Sequence, residues 1–269
     1  MQQIQALMAN TEAPAESELW LRTIEEHMFP GEALTLHVAR FITKVCAFQA
    51  RAIKYIRNRD FAGMSDYYRE GWNLMTSAEN ELNGWIDSQP PFEHELDPYM
   101  RNMQYSTIVK GYHIMQMMCN MLTHYAPCPI PLDELLTHRR FCLQTIRIAT
   151  QGILSNIPYA IGPLARGKDK SPRVLFDALK LIWPLLCIYM VSTTTDEQKK
   201  TAWNTLRFIG EEVGVRQATK AHSNMMLLPP EALKPLDVEG ADLQWVAAPE
   251  VNVDFGRMNW ETSFENGTS

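Results

Sequence analysis

The residues of this chain that could do chemistry are seven histidines, five cysteines and a few acid clusters, and their spacing decides what chemistry is available. A zinc protease needs two histidines one helical turn apart, so that both rings reach one ion, with a glutamate beside them as base. That H-E-x-x-H spacing does not occur, and neither does the H-x-E with P-C-x-x-C of the zinc deaminases. His113 and His124 share a face only if a helix runs straight through three turns, and they read as polar positions on a surface helix. Glu25-Glu26, Glu93-His-Glu95, Asp196-Glu197 and Glu211-Glu212 are the paired acids. None has the D-D-x-x-D form with which a helical terpene cyclase holds magnesium and diphosphate. Asp196-Glu197 fits better as a helix start complementing the backbone dipole. No G-x-S-x-G, P-loop or G-x-G-x-x-G is present. Cys46, Cys119, Cys128, Cys142 and Cys187 are odd in number and form no C-x-x-C pair, which suits buried thiols in a reducing compartment. No catalytic, cofactor-binding or metal-ligating residue is assigned, and no cofactor is expected. Whether the chain is an enzyme stays open, because a pericyclic or isomerising reaction needs only a shaped, water-excluding cavity and a few donors.

Methionine is the unusual residue, with Met100, Met103, Met115, Met117, Met118 and Met121 in one stretch. Methionine can line an adaptable pocket. Periodic apolar positions are more often packing, so these side chains, like Trp183 and Trp203, read as core.

At 269 residues, with 46% hydrophobic and 21% charged residues, the chain can bury a full core. Its net charge of −6 argues against gripping nucleic acid directly. The basic clusters, Arg139-Arg140 and Arg166–Arg173 with Asp169 between, are too small to reverse that. No signal peptide or membrane span is read, and Asn266-Gly-Thr268 is a chance match to a glycosylation acceptor.

Apolar periodicity predicts an all-α fold. Residues 1–15 read as loose and 16–28 as a short amphipathic helix, broken by Pro30-Gly31. Val38, Phe41, Ile42, Val45, Phe48, Ala52 and Ile56 predict a helix over 32–58. Asp60 caps the next, which runs to about Trp85 before Gln89-Pro90-Pro91. A helix over 97–125 has its apolar side at Met103, Val109, Tyr112, Met115, Met118, Cys119 and Leu122. Pro127, Pro129 and Pro131 form a stiff connector, and Pro131 opens a helix over 131–155 with Leu135, Leu136, Phe141, Cys142, Ile146 and Ile153 inward. Asn156–Pro163 cannot continue it. Ser171-Pro172 starts a helix with a kink expected at Trp183-Pro184, and Thr195–Gln198 forms a capping box for another that Gly210 or Gly214 breaks or tightens. After Pro229-Pro230 the chain reads as irregular, with Leu243–Val246 its faint strand candidate. The expected organisation is an N-terminal segment (1–30), one multi-helix domain (31–228) and an irregular C-terminal tail (229–269).

Three segments carry a resemblance. Ser77–Trp85 is followed by Pro90-Pro91. Ile146–Gly162 ends in Ser155-Asn-Ile-Pro-Tyr-Ala-Ile-Gly162. The third combines Leu181-Ile-Trp-Pro-Leu185, the acidic start Asp196-Glu197, Trp203, Ile209-Gly210 and Gly214-Val-Arg-Gln-Ala218. In this order they resemble the fungal-specific regulatory domain of zinc binuclear cluster transcription factors over roughly residues 35–225. The resemblance implies an all-α scaffold in which these motifs fix helix packing, with no catalytic residue to carry over. It implies transcription regulation through protein partners in nucleus or cytoplasm, and leaves open a homodimer and a small-molecule ligand. The family's six-cysteine zinc cluster is not in this chain, and the N-terminal end of the regulatory region looks short. The chain therefore reads as a fragment, a truncated paralogue or a protein that kept the helical domain without DNA binding. The alternative is a small-molecule binder or cofactor-free cyclase or isomerase of fungal secondary metabolism on the same scaffold.

Overall fold

In a computed structural model, which describes residues 2–29, 32–89, 98–165, 172–215, 218 and 228–236, the chain runs α1 (Gln2–Ala9), α2 (Ser17–His27), α3 (Ala33–Asn58), α4 (Phe61–Asp87), α5 (Pro98–Thr123), α6 (Leu132–Ser155), α7 (Ile157–Ala165), α8 (Pro172–Met190), α9 (Asp196–Glu211) and α10 (Pro230–Leu233). There is no strand among the described residues, and the fold is all-α.

Helix α3 buries every apolar position that its periodicity marked, from Val38 to Ile56. It ends where Arg59 turns left-handed at φ 50. The chain reverses there, and the Asp60 carboxylate accepts a hydrogen bond from Gly63 N at 2.9 Å, capping α4. Lys44 pairs with Glu81, Arg51 with Glu70, and the His37 ring stacks on Trp85 at 4.2 Å. One partner number rises as the other falls, so the pair is an antiparallel hairpin. α5 and α6 form the second hairpin: Asn156 meets Asn102, Phe141 meets Tyr112, and Arg139 meets Asn120.

The centre of the molecule is α5, packed by α3, α4, α6, α8 and α10. The expectation of one apolar side is corrected here. Almost the whole circumference from Asn102 to Leu122 is buried, polar residues included. A helix surrounded on all sides needs no solvent face, so its periodicity understates its burial. Met103, Met115, Met117, Met118 and Met121 are all core residues.

Several local expectations shift for identifiable reasons. Residues 2–9, read as loose, form α1, whose Ala6 and Leu7 pack on α3. Eight residues are too few for a helix to stand on its own propensity, and docking supplies the stability. Pro131 is the N-cap of α6 rather than its first residue. Asn156 ends α6 as expected, but Pro158 then sits in the first turn of a new helix, α7, where its missing N–H costs nothing. Phe141, expected inside, is 46% exposed. Cys142 takes the inward direction and leaves Phe141 on the rim. Pro184 lies inside α8, beside the buried Trp183. Pro30-Gly31, Pro90-Pro91, Glu93-His-Glu95, Arg166–Ser171, Arg216-Gln217 and Leu243–Val246 lie outside the described residues.

The capping box at α9 forms in both directions: Gln198 N donates to Thr195 Oγ1 at 3.2 Å and Thr195 N donates to Gln198 Oε1 at 3.1 Å. Thr195→Ala should cost about 1 kcal/mol in urea unfolding, with Thr195→Ser close to neutral. An unchanged midpoint for the alanine variant would show that α9 is held by its packing alone.

Candidate functional site

Three arrangements are candidates: a buried polar stripe on α5, an aromatic seam between α4 and α6, and an apolar groove beside α2.

Asn102, Ser106, His113, Gln116 and Asn120 recur at steps of three, four and seven, so they fall on one face of α5, and all are buried. The ends of the stripe are satisfied. Asn156 Nδ2 donates to Asn102 Oδ1 at 2.8 Å, and Asn120 donates to the Ala232 carbonyl at 2.9 Å while accepting from Arg139 Nε at 2.8 Å. The middle is not: His113 Nδ1 and Gln116 Oε1 have no hydrogen-bond partner in the protein. His113 therefore corrects the expectation of a surface position. Burial, with the Lys110 charge as the next cause, pushes its pKa down to about 4, so the ring is neutral at physiological pH. His124 lies past the end of α5 and meets the Lys234 carbonyl at 3.0 Å, so the two histidines share no site.

In the seam, Tyr68 and Trp72 stand one turn apart on α4 and face His138 and Phe141 of α6. The Tyr68 hydroxyl is 2.8 Å from His138 Nδ1 and 3.4 Å from Cys119 Sγ. The His138 ring stacks on Trp72 at 3.6 Å, within 6° of parallel, and Phe141 meets Trp72 and Tyr112 edge-on. Tyr112 OH donates to the Glu79 carboxylate behind them. Phenol–imidazole and phenol–carboxylate pairs could exchange protons, but burial sets their acidity against it. It holds both phenols far above the ordinary tyrosine range. It likewise raises the thiols of Cys142 and Cys187, and that of Cys46 to about 12. A nucleophile must reach its anion near neutral pH, and these groups are held away from it. The seam links residues about seventy positions apart, so linear spacing could not reveal it. The one available signal was aromatic residues at helical spacing on both strands of the contact, Tyr68 with Trp72 and His138 with Phe141.

Burial also raises the Glu79 pKa, and the Tyr112 hydrogen bond opposes that only in part. A carboxyl raised on folding stabilises fully below its unfolded value, and that contribution is lost as pH rises through the folded one. Glu79→Gln keeps an acceptor for Tyr112 without the charge. The variant should be at least as stable as the wild type at pH 7.5, and should lose the decline in stability that begins above pH 4.5. Denaturant midpoints across that range check this. A large loss at pH 7.5 would show that the charged form is the one the fold prefers.

Outside, an open groove of about 320 Å³ is lined by Trp20, Thr23, Ile24, His27, Met28 and Glu32. Trp20 is 65% exposed and Phe29 74%. Of the paired acids, Asp196-Glu197 occupies the first turn of α9, and Glu25 is held by Arg40. Trp203 stacks on Tyr189. Among the described residues no group of three histidines, cysteines or acids lies close enough to hold a metal ion, and no helix is long and apolar enough to cross a membrane. The segments Ser77–Trp85 and Ile146–Gly162 lie on the second half of α4 and across the α6–α7 junction, while Ala218, at the end of the third, is buried. Set against family models, curated proteins and solved structures, the chain matches none.

Proposed function

We infer that this chain is a helical regulatory domain of the fungal zinc-cluster transcription-factor type, acting through protein partners. One observation carries the reading: the chain spends its unusual residues on packing. Five of the six α5 methionines are core, the phenols and thiols beside them are held protonated, and large apolar side chains are left exposed on α2 instead. Exposed apolar clusters of this kind serve protein contact. The net charge of −6 fits a partner other than nucleic acid.

Fused to an unrelated DNA-binding domain, the intact chain should change transcription of a reporter in a fungal host. Trp20→Ser with Ile24→Ser should remove the effect without unfolding the protein. A silent fusion, together with conversion of a metabolite by the purified chain, would overturn the regulatory reading.

The second reading, a small-molecule binder or cofactor-free enzyme, rests on His113 Nδ1 and Gln116 Oε1, which a polar ligand could satisfy. Metabolites of the native strain should then raise the melting temperature of the wild type and not of His113→Leu. Turnover would distinguish the enzyme from the sensor.

A further inference from the structure

The groove beside α2 has a charge pattern as well as an apolar lining. Glu16, Trp20, Ile24 and His27 recur at steps of four, four and three, so they form one stripe along the helix. Ser17 and Leu21 take the inward side, where α2 packs on α3, and the stripe is left exposed. Met28, the C-cap of α2, and Glu32, the N-cap of α3, complete the lining.

Residues 11–32 carry six glutamates against the single Arg22. Glu18 and Glu25 are seven apart and share a side away from the stripe, and both are paired, with Arg22 and Arg40. Glu16 at the head of the stripe, Glu26 on its flank and Glu32 in the lining have no basic side chain paired with them among the described residues. The Glu32 carboxylate accepts a hydrogen bond from Phe29 N at 3.3 Å, which leaves its charge unneutralised.

An apolar groove rimmed by unpaired carboxylates selects its occupant by charge. It repels nucleic acid and anionic lipid. A second copy of the same face would set these glutamates against each other. An extended peptide would find no strand edge among the described residues to pair its backbone. A helix satisfies its own backbone and offers a single apolar stripe. The 11 residues of α2 are about 16 Å long, which matches three turns of such a helix.

We propose that the α2 face binds a basic amphipathic helix of another protein. The partner's apolar stripe lies on Trp20, Ile24 and Met28, and its lysines or arginines meet Glu16, Glu26 and Glu32. The inference rests on the reading that the chain acts through protein partners at α2, and adds the chemistry that the partner presents.

The test pans a phage library of random 16-residue peptides on the intact protein. Clones that also bind the Trp20→Ser, Ile24→Ser variant are discarded. The survivors should carry apolar residues at helical spacing and a net positive charge. A fluorescein-labelled survivor should bind the serine variant at least about tenfold more weakly than wild type. Glu16→Gln with Glu26→Gln should weaken it by about threefold and flatten its salt dependence. Circular dichroism confirms that each variant is folded. A peptide that binds in this way while the reporter fusion stays silent supports the docking face and removes only the regulatory reading. Three results would each overturn the proposal, even beside an active fusion: no clone that tells the two proteins apart, survivors that are neutral or acidic, or binding that the glutamine substitutions and salt leave unchanged.

Discussion

Taking the pH from 7 to 4 should cost the folded protein about 3 kcal/mol at His113 alone, and His113→Gln should remove that part of the loss. The ring is buried on α5 with the Lys110 and Lys199 charges acting on it. Its pKa therefore falls from 6.5 in the unfolded chain to about 4 in the folded one. A histidine whose pKa is depressed on folding contributes stability above its unfolded value. As pH drops below 6.5 the unfolded chain takes up the proton and the folded chain does not, so stability falls until about pH 4, where the folded ring titrates too. Burial lowers His37 and His138 in the same direction, and because both are more exposed they add less. Glu79 works the other way, as its raised pKa favours the folded state in acid. The measurement is urea unfolding at intervals from pH 7 to below pH 4 for wild type and variant. The two curves should diverge below pH 6.5 and run parallel again below about pH 4. Curves parallel throughout would mean that the ring is hydrated in the folded state and that its burial costs nothing.

How much of this could be read from the sequence depends on whether the cause was local. The extents of α2, α3, α4 and α6 follow from periodicity and breakers. Asp60 and the Thr195–Gln198 box act within one turn of themselves, so both caps were legible. α1 and α7 were not, because one draws its stability from α3 and the other starts where prolines suggested only an ending. His113 and Gln116 look like solvent positions on an amphipathic helix. Their burial comes from the helices packed around α5, among them α8, which begins more than fifty residues later in the chain. The candidate seam failed for the same reason: Tyr68 and His138 are ordinary in their own helices and meet only when α4 and α6 flank α5. No residue of either arrangement stands out by type alone, whereas the methionines did stand out and prove to be packing.

The methionines supply the second large effect. Met118→Ala should destabilise the protein by about 2–5 kcal/mol, and Met118→Leu by less than about 1.5 kcal/mol. Met118 and its neighbour Met115 are fully buried within a contiguous core that includes Val45, Met75 and Leu186. Truncation there removes the transfer free energy of the side chain and leaves a cavity in surroundings that relax only in part. Leucine conserves the volume and loses only the fit of the thioether. The contrast separates the two roles that methionine can play. If these side chains lined an adaptable pocket, they would already have room to move, so alanine would cost little and the leucine and alanine variants would fall together. A wide gap between the two variants in equilibrium unfolding means a filled core. In that case the core around Met118 has no volume to give a ligand, and any ligand on α5 must be sought at the polar stripe instead.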